Sequence, residues 1–146
     1  MVKNNNVEWE KEPLENFLDE HVLYRGIHKN YLINWSDFNK IPPNVFSYKK
    51  DEKGISTDWS KYATPQFTLS HLRNPDLKDN GILEINVGNL KETIKGYNLP
   101  LIIEHNPLKL NRAHTLIIGI NTKNKAKNRR HLSKISKWAK GFDPKF

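Results

Sequence analysis

The sequence predicts an α+β fold: a single domain on a mostly antiparallel sheet, with short helices and a basic amphipathic C-terminal helix. Three apolar runs of strand length, at 82–87, 99–105 and 115–120, concentrate Ile, Leu and Val in the second half of the chain. The helical signals before them are short, and 146 residues with 36% hydrophobic content supply one core. A last segment, 122–140, sets Leu132, Ile135, Trp138 and Ala139 at helical spacing opposite Lys and Arg, with Gly141 placed to end it.

Taken in order, residues 1–12 read as a flexible arm. Leu14, Phe17 and Leu18 share a helical face, and Pro13 suits a first turn, which predicts a short helix over 13–20. Val22–Gly26 reads as a strand entering a turn, Trp35–Phe38 as one helical turn before Pro42-Pro43, and Val45–Tyr48 as a further short strand. Thr64-Pro65 is the best helix start in the chain: Thr caps, Pro fits the first position, and the segment closes at Asn74-Pro75. Between the strands at 82–87 and 99–105, Leu90–Ile94 predicts a short helix before Gly96.

Charge is polarised along the chain. Residues 1–120 hold 15 Lys and Arg against 15 Asp and Glu, so the formal net charge of +8 lies wholly in 121–146. Nine bases there face one acid, whereas 1–22 carry six acids and two lysines. A localised basic element is the footprint of a nucleic-acid contact, and Lys123, Lys125, Lys127, Arg129, Arg130 and Lys134, with Arg112, are the candidate binding residues. The acidic arm docking on that element, or a simply solvated face, is the alternative. With no cysteine in the chain, thiolate chemistry, disulfides and Cys-type zinc sites are excluded. No apolar stretch reaches 18 residues and no signal-like segment opens the chain, which predicts a cytoplasmic protein without membrane partners.

The residues able to carry chemistry fall into three groups. Glu104-His105-Asn106-Pro107 precedes Asn111-Arg112-Ala113-His114, and a loop between two strands would bring His105 and His114 together at a sheet edge. Two imidazoles near neutrality supply the base and the acid that metal-free phosphodiester transfer from a ribose 2′-OH requires. Arg25 and His28, in Tyr24-Arg25-Gly26-Ile27-His28, would hold phosphate. The hydroxyl- and aromatic-rich segment 55–65 places Ser56, Lys61 and Tyr62 as supporting groups before a helix N-terminus, with Trp59 read as core and Asn111 as a further supporting residue. No cofactor and no metal is required by this scheme.

Leu-Tyr-Arg-x-x-His at 23–28, Ile-Ser-x-Asp-Trp-Ser-Lys-Tyr-x-Thr-Pro at 55–65 and Glu-His-x-Pro followed by Asn-Arg-Ala-His at 104–114 resemble a group of small bacterial proteins without an assigned activity, over about residues 22–138. That resemblance implies a shared fold and the same four candidates, Arg25, His28, His105 and His114. A second likeness is to ADP-ribosyltransferases, whose NAD-binding core uses an Arg or His on an early strand, a Ser-Thr strand motif and a later Glu. It implies Arg25, Ser56-Thr57 and Glu104 or Glu84 as the matching positions, without a Gln/Glu-x-Glu motif to complete the set. The leading expectation is a nucleic-acid-directed effector, a metal-independent RNA-cleaving toxin or defence-type protein. An NAD-dependent transferase and a non-catalytic module binding nucleic acid or a protein partner are the alternatives.

Overall fold

The computed structural model describes residues 8–37 and 39–145. Six strands form one antiparallel sheet in the order β4-β5-β2-β1-β3-β6: β1 Val22–His28, β2 Gly54–Trp59, β3 Asn80–Asn86, β4 Ile102–His105, β5 His114–Ile118 and β6 Ser136–Trp138. Three helices accompany it, α1 Pro65–Ser70, α2 Val87–Tyr97 and α3 Lys125–Ile135. The α+β class and its mostly antiparallel sheet are as the sequence predicts.

Alternation along the strands sorts the side chains into two layers. Leu23, Ile27, Ile55, Trp59, Leu83, Ile85 and Ile117 face the main core, where α2, α3 and the turn Pro43–Phe46 bury them together with Phe17, Leu90 and Leu132. The other face is covered over β1 and β3 by Leu69 and Leu72 around Ile82 and Tyr24 and by Ala139 and Phe142. Over β2 and β5 that second face carries Ser56, Asp58 and His114 beside Leu116 and Ile118.

The sheet is divided in its middle. β1 pairs with β3 along all seven residues and β2 with β5 over five, but β1 meets β2 only at Leu23 with Trp59 and Tyr24 with Asp58. Beyond Tyr24 the two half-sheets separate, leaving a cleft between Arg25–Gly26 and Ser56–Thr57.

Several elements differ from the sequence expectations. The helix over 13–20 is only a 3-10 turn at Leu14–Asn16, because Phe17 leaves the helical path to stack on Trp59 at 3.8 Å. Val45–Tyr48 is no strand: Pro43 starts a 3-10 turn that drives Val45 and Phe46 into the core. The turn expected at Trp35–Phe38 forms earlier, at Lys29–Leu32, and Phe38 lies outside the described residues. β2 went unread as a strand, although Ile55, Thr57 and Trp59 alternate inward against Ser56 and Asp58. The C-terminal helix stops at Ile135, since Ser136–Trp138 turns extended to satisfy the free edge of β3. Thr64 caps α1 as expected, accepting the Phe67 N–H at 3.1 Å. At the end of β5, Gly119 has φ 96° and a Cβ there would lie 1.9 Å from the Pro100 carbonyl oxygen, so only glycine lets the loop before β4 close on this strand.

Candidate functional site

The β2 and β5 register builds the cleft. Asp58 stands opposite His114 and Ser56 opposite Leu116, so Ser56, Asp58 and His114 emerge on the face away from the core. Nδ1 of His114 donates to the Asn106 carbonyl at 2.8 Å, which fixes the tautomer and leaves Nε2 bare to accept from the Ser56 hydroxyl at 3.0 Å. Ser56 is solvent-exposed, so its hydroxyl is open to an incoming molecule. Asp58 is buried to 7% exposure and accepts from Thr68 Oγ1 of α1 at 2.8 Å and from Asn111 Nδ2 at 2.8 Å. Tyr24, His71 and Leu72 complete a cavity of about 190 Å³.

Arg25 approaches the same cleft from β1. Its Nε donates to the Val45 carbonyl at 3.1 Å and Nη1 to the Ser56 carbonyl at 2.9 Å, so the guanidinium spans the gap where β1 and β2 part. Burial pushes this group below its ordinary pKa. Arg25 thus holds the Ser56 main chain while His114 holds the Ser56 side chain, which brings the three residues together across β1, β2 and β5.

The expected histidine pair does not form. His105 pairs in register with Thr115, so His105 faces the core while His114, one residue away, faces the cleft. The His105 ring is 1% exposed, its Nδ1 accepts the Glu12 N–H at 3.0 Å, and its Nε2 donates to the Arg112 carbonyl at 2.7 Å. Both nitrogens are spent on the backbone, and none is left to move a substrate proton. His28 ends β1 and accepts the Asn30 N–H at 3.1 Å, outside the cleft.

Lys61, Tyr62 and Arg112 belong to a second structure, the seat of residues 8–12. Glu12 accepts from Lys61 at 2.5 Å, from Asn16 at 2.9 Å and from the Tyr62 hydroxyl, while the Arg112 guanidinium lies 4.1 Å from the Tyr62 ring centroid and 4.5 Å from that of Trp9. The acidic segment thus docks on the 105–112 loop and the end of β2, not on α3, and from Trp9 to Glu12 it is no free arm. Burial alone would raise the Glu12 pKa, but the bonds from Lys61, Tyr62 and Asn16 hold it at about 2 against an ordinary 4.5. The folded-state value lies below the unfolded one, so this clamp stabilises fully above about pH 4.5 and its contribution is lost as pH falls toward about 2. Glu12→Gln is expected to flatten the acid limb of a Tm-versus-pH curve in that window and to cost about 1 kcal/mol at neutral pH, the exposed Lys61 limiting its worth; an unchanged acid limb would show that Glu12 is not the controlling carboxylate.

Of the basic candidates, Lys125, Lys127, Arg129, Arg130 and Lys134 lie on α3, with Lys123 just before it. Arg129 turns to Asn121, donating to Oδ1 at 3.2 Å. Leu132 anchors α3 in the main core, on the sheet layer opposite the cleft. Nucleic acid held on α3 therefore does not lie over Ser56 and His114. The likeness to transferases also named Glu84 and Glu104; Glu104 pairs with Lys53 at 3.1 Å and Lys11 at 3.9 Å, and Glu84 stands between Tyr24 and Lys137 in register. Neither lines the cleft, whose carboxylate is Asp58.

Sequence reasoning missed Asp58, Thr68 and His71. For Asp58 the signal was present in the alternation of 55–59; for His71 nothing in its surroundings announced a site, since only the packing of α1 brings it there. Fold and site together define a small α+β protein with a split sheet and a polar cleft at the split. No protein family, curated protein or solved structure matches the chain.

Proposed function

We propose that this protein is an NAD-directed transferase of the ADP-ribosyltransferase kind, working in the cleft between the half-sheets. The observation that carries it is the meeting of Arg25, bonded to the Ser56 carbonyl, and His114, bonded to the Ser56 hydroxyl, at the point where the sheet divides. In the resembled family an early-strand Arg and a Ser-Thr strand motif form the dinucleotide core, and here those two residues are joined on adjacent strands. The cavity of about 190 Å³ is smaller than the ~300 Å³ at which drug-sized pockets begin, so it suits one nucleoside half, the remainder lying across the open face.

The chemistry follows from the groups present. Cleaving the bond between ribose C1′ and nicotinamide sends the bonding electrons out with nicotinamide and leaves an electron-poor ribosyl carbon. The Asp58 carboxylate, held by Thr68 and Asn111, provides negative charge for that centre. An acceptor hydroxyl then bonds to C1′ and gives its proton to Nε2 of His114, whose ring the Nδ1–H bond to the Asn106 carbonyl holds aimed at the cleft. Ser56 occupies the acceptor's place in the free protein. Arg25 keeps the half-sheets at this separation and adds positive charge beside the phosphates.

Nicotinamide release from NAD, followed chromatographically, tests the proposal. His114→Ala and Asp58→Asn, each confirmed folded by circular dichroism, are expected to lower turnover by about 100-fold or more. Absence of both NAD binding and turnover in the unaltered protein would overturn it. Cleavage of RNA in chelator is the second reading, favoured because His71 and His114 line one cavity and could serve as acid and base in place of His105. Loss of such cleavage in both His71→Ala and His114→Ala would select it.

A further inference from the structure

We infer that the outward face of α3 is a binding site for single-stranded nucleic acid, separate from the cleft. Lys127, Arg130, His131 and Lys134 recur at i, i+3, i+4 and i+7, which places them in one stripe along the helix. The inward stripe, Asn128, Leu132 and Ile135, is spent on packing: Leu132 is fully buried and Asn128 donates to the Ile120 and Lys123 carbonyls at 3.1 and 3.0 Å. Among the described residues no carboxylate lies within 4.0 Å of Lys127, Arg130 or Lys134, although the chain has 16 acids and uses them in pairs elsewhere. Cations left together without counter-charge repel one another, and a polyanion would relieve that repulsion.

The second observation is aromatic. Tyr97, at the end of α2, is 56% exposed and its ring sits 4.0 Å from that of His131, tilted by 37°. An exposed ring beside a row of cations is the arrangement that seats an unpaired base while the phosphates follow the charges. Eleven residues of helix run about 16 Å, enough to face several phosphates at ~3.4 Å or more apiece. A lipid surface is disfavoured, because the large apolar residues of α3, Leu132 and Ile135, pack into the core and leave no bulky side chain to enter a bilayer. An acidic protein would use the charges but leave Tyr97 without a role.

Fluorescence anisotropy with labelled single strands of about 12 nucleotides, RNA and DNA in separate arms, tests this on the full chain. The expected result is binding to single strands with a log–log salt slope of about −2 to −3, from three or four phosphates neutralised. The variant Lys127→Ala/Arg130→Ala/Lys134→Ala should weaken binding at least about 10-fold and bring the slope to about −1 or shallower. Tyr97→Ala should weaken it about 5-fold or more with the slope kept, a separation that a misfolded protein would not give. RNA and DNA binding alike, or one preferred, both support the site. Equal or tighter binding of a duplex, of polyglutamate or of phosphatidylserine vesicles would overturn it, as would a charge variant that binds like the unaltered protein.

Discussion

Replacing Trp59 by Ala will remove about 4 kcal/mol of stability and lower Tm by about 12 °C, at constant protein concentration and pH. Trp59 is fully buried at the end of β2 and lies at the centre of an aromatic group: Phe17 stacks on it at 3.8 Å, and His21, Tyr62 and His105 meet its edges or face between 5.3 and 5.6 Å. Its Nε1 donates to His21 Nδ1 at 3.1 Å, and the Leu18 N–H donates to the same nitrogen at 2.9 Å. The alanine variant would leave a cavity beneath both half-sheets, close to the two residue pairs that join them. Trp59→Phe keeps the stacking and loses the hydrogen bond, for an expected cost of about 1–2 kcal/mol. Calorimetry on both variants decides; a loss below about 2 kcal/mol in Trp59→Ala would mean that the aromatic group is not what holds this end of the sheet.

His105→Ala is expected to cost about 3 kcal/mol of stability while NAD turnover per folded molecule stays within about two-fold. The change leaves the Glu12 N–H and the Arg112 carbonyl without partners in a buried place, each worth about 1–3 kcal/mol, part of it recovered by water entering at the N-terminal segment. His114→Ala should do the reverse, removing turnover with a stability loss of about 1 kcal/mol, since its ring lies at the cleft and not in the core. Thermal melts and turnover measured on both proteins separate the roles. A turnover loss in His105→Ala as large as in His114→Ala would restore the histidine pair as the chemical centre.

The two histidines also show why the site was only half legible in the sequence. They are nine positions apart on either side of a loop, and the residue types alone made both candidates for one site. Whether they meet depends on register. His105 pairs with Thr115, and the period-2 alternation of a strand then puts His114 on the other face. A slip of one residue would have placed both on one side, and no local pattern in 104–114 fixes that slip.

Local physics did decide a good part of the molecule. Thr64-Pro65 sets the start of α1 through one side-chain cap, and the Ile-rich runs become β3, β4 and β5 because branched side chains favour extended backbone. Composition likewise determined that this chain has no thiol chemistry and that its positive excess lies in one C-terminal segment. Tertiary structure alone decided the rest: that Ser136–Trp138 leaves the helix for the open edge of β3, that the acidic segment clamps His105 and not α3, and that β1 and β2 part after two residue pairs. The first two satisfy backbone or buried polar groups whose partners lie far along the chain, β6 pairing with Leu83, Glu84 and Ile85 and the Glu12 N–H bonding His105 93 positions away, and such pairings are set by packing, not by neighbours in sequence.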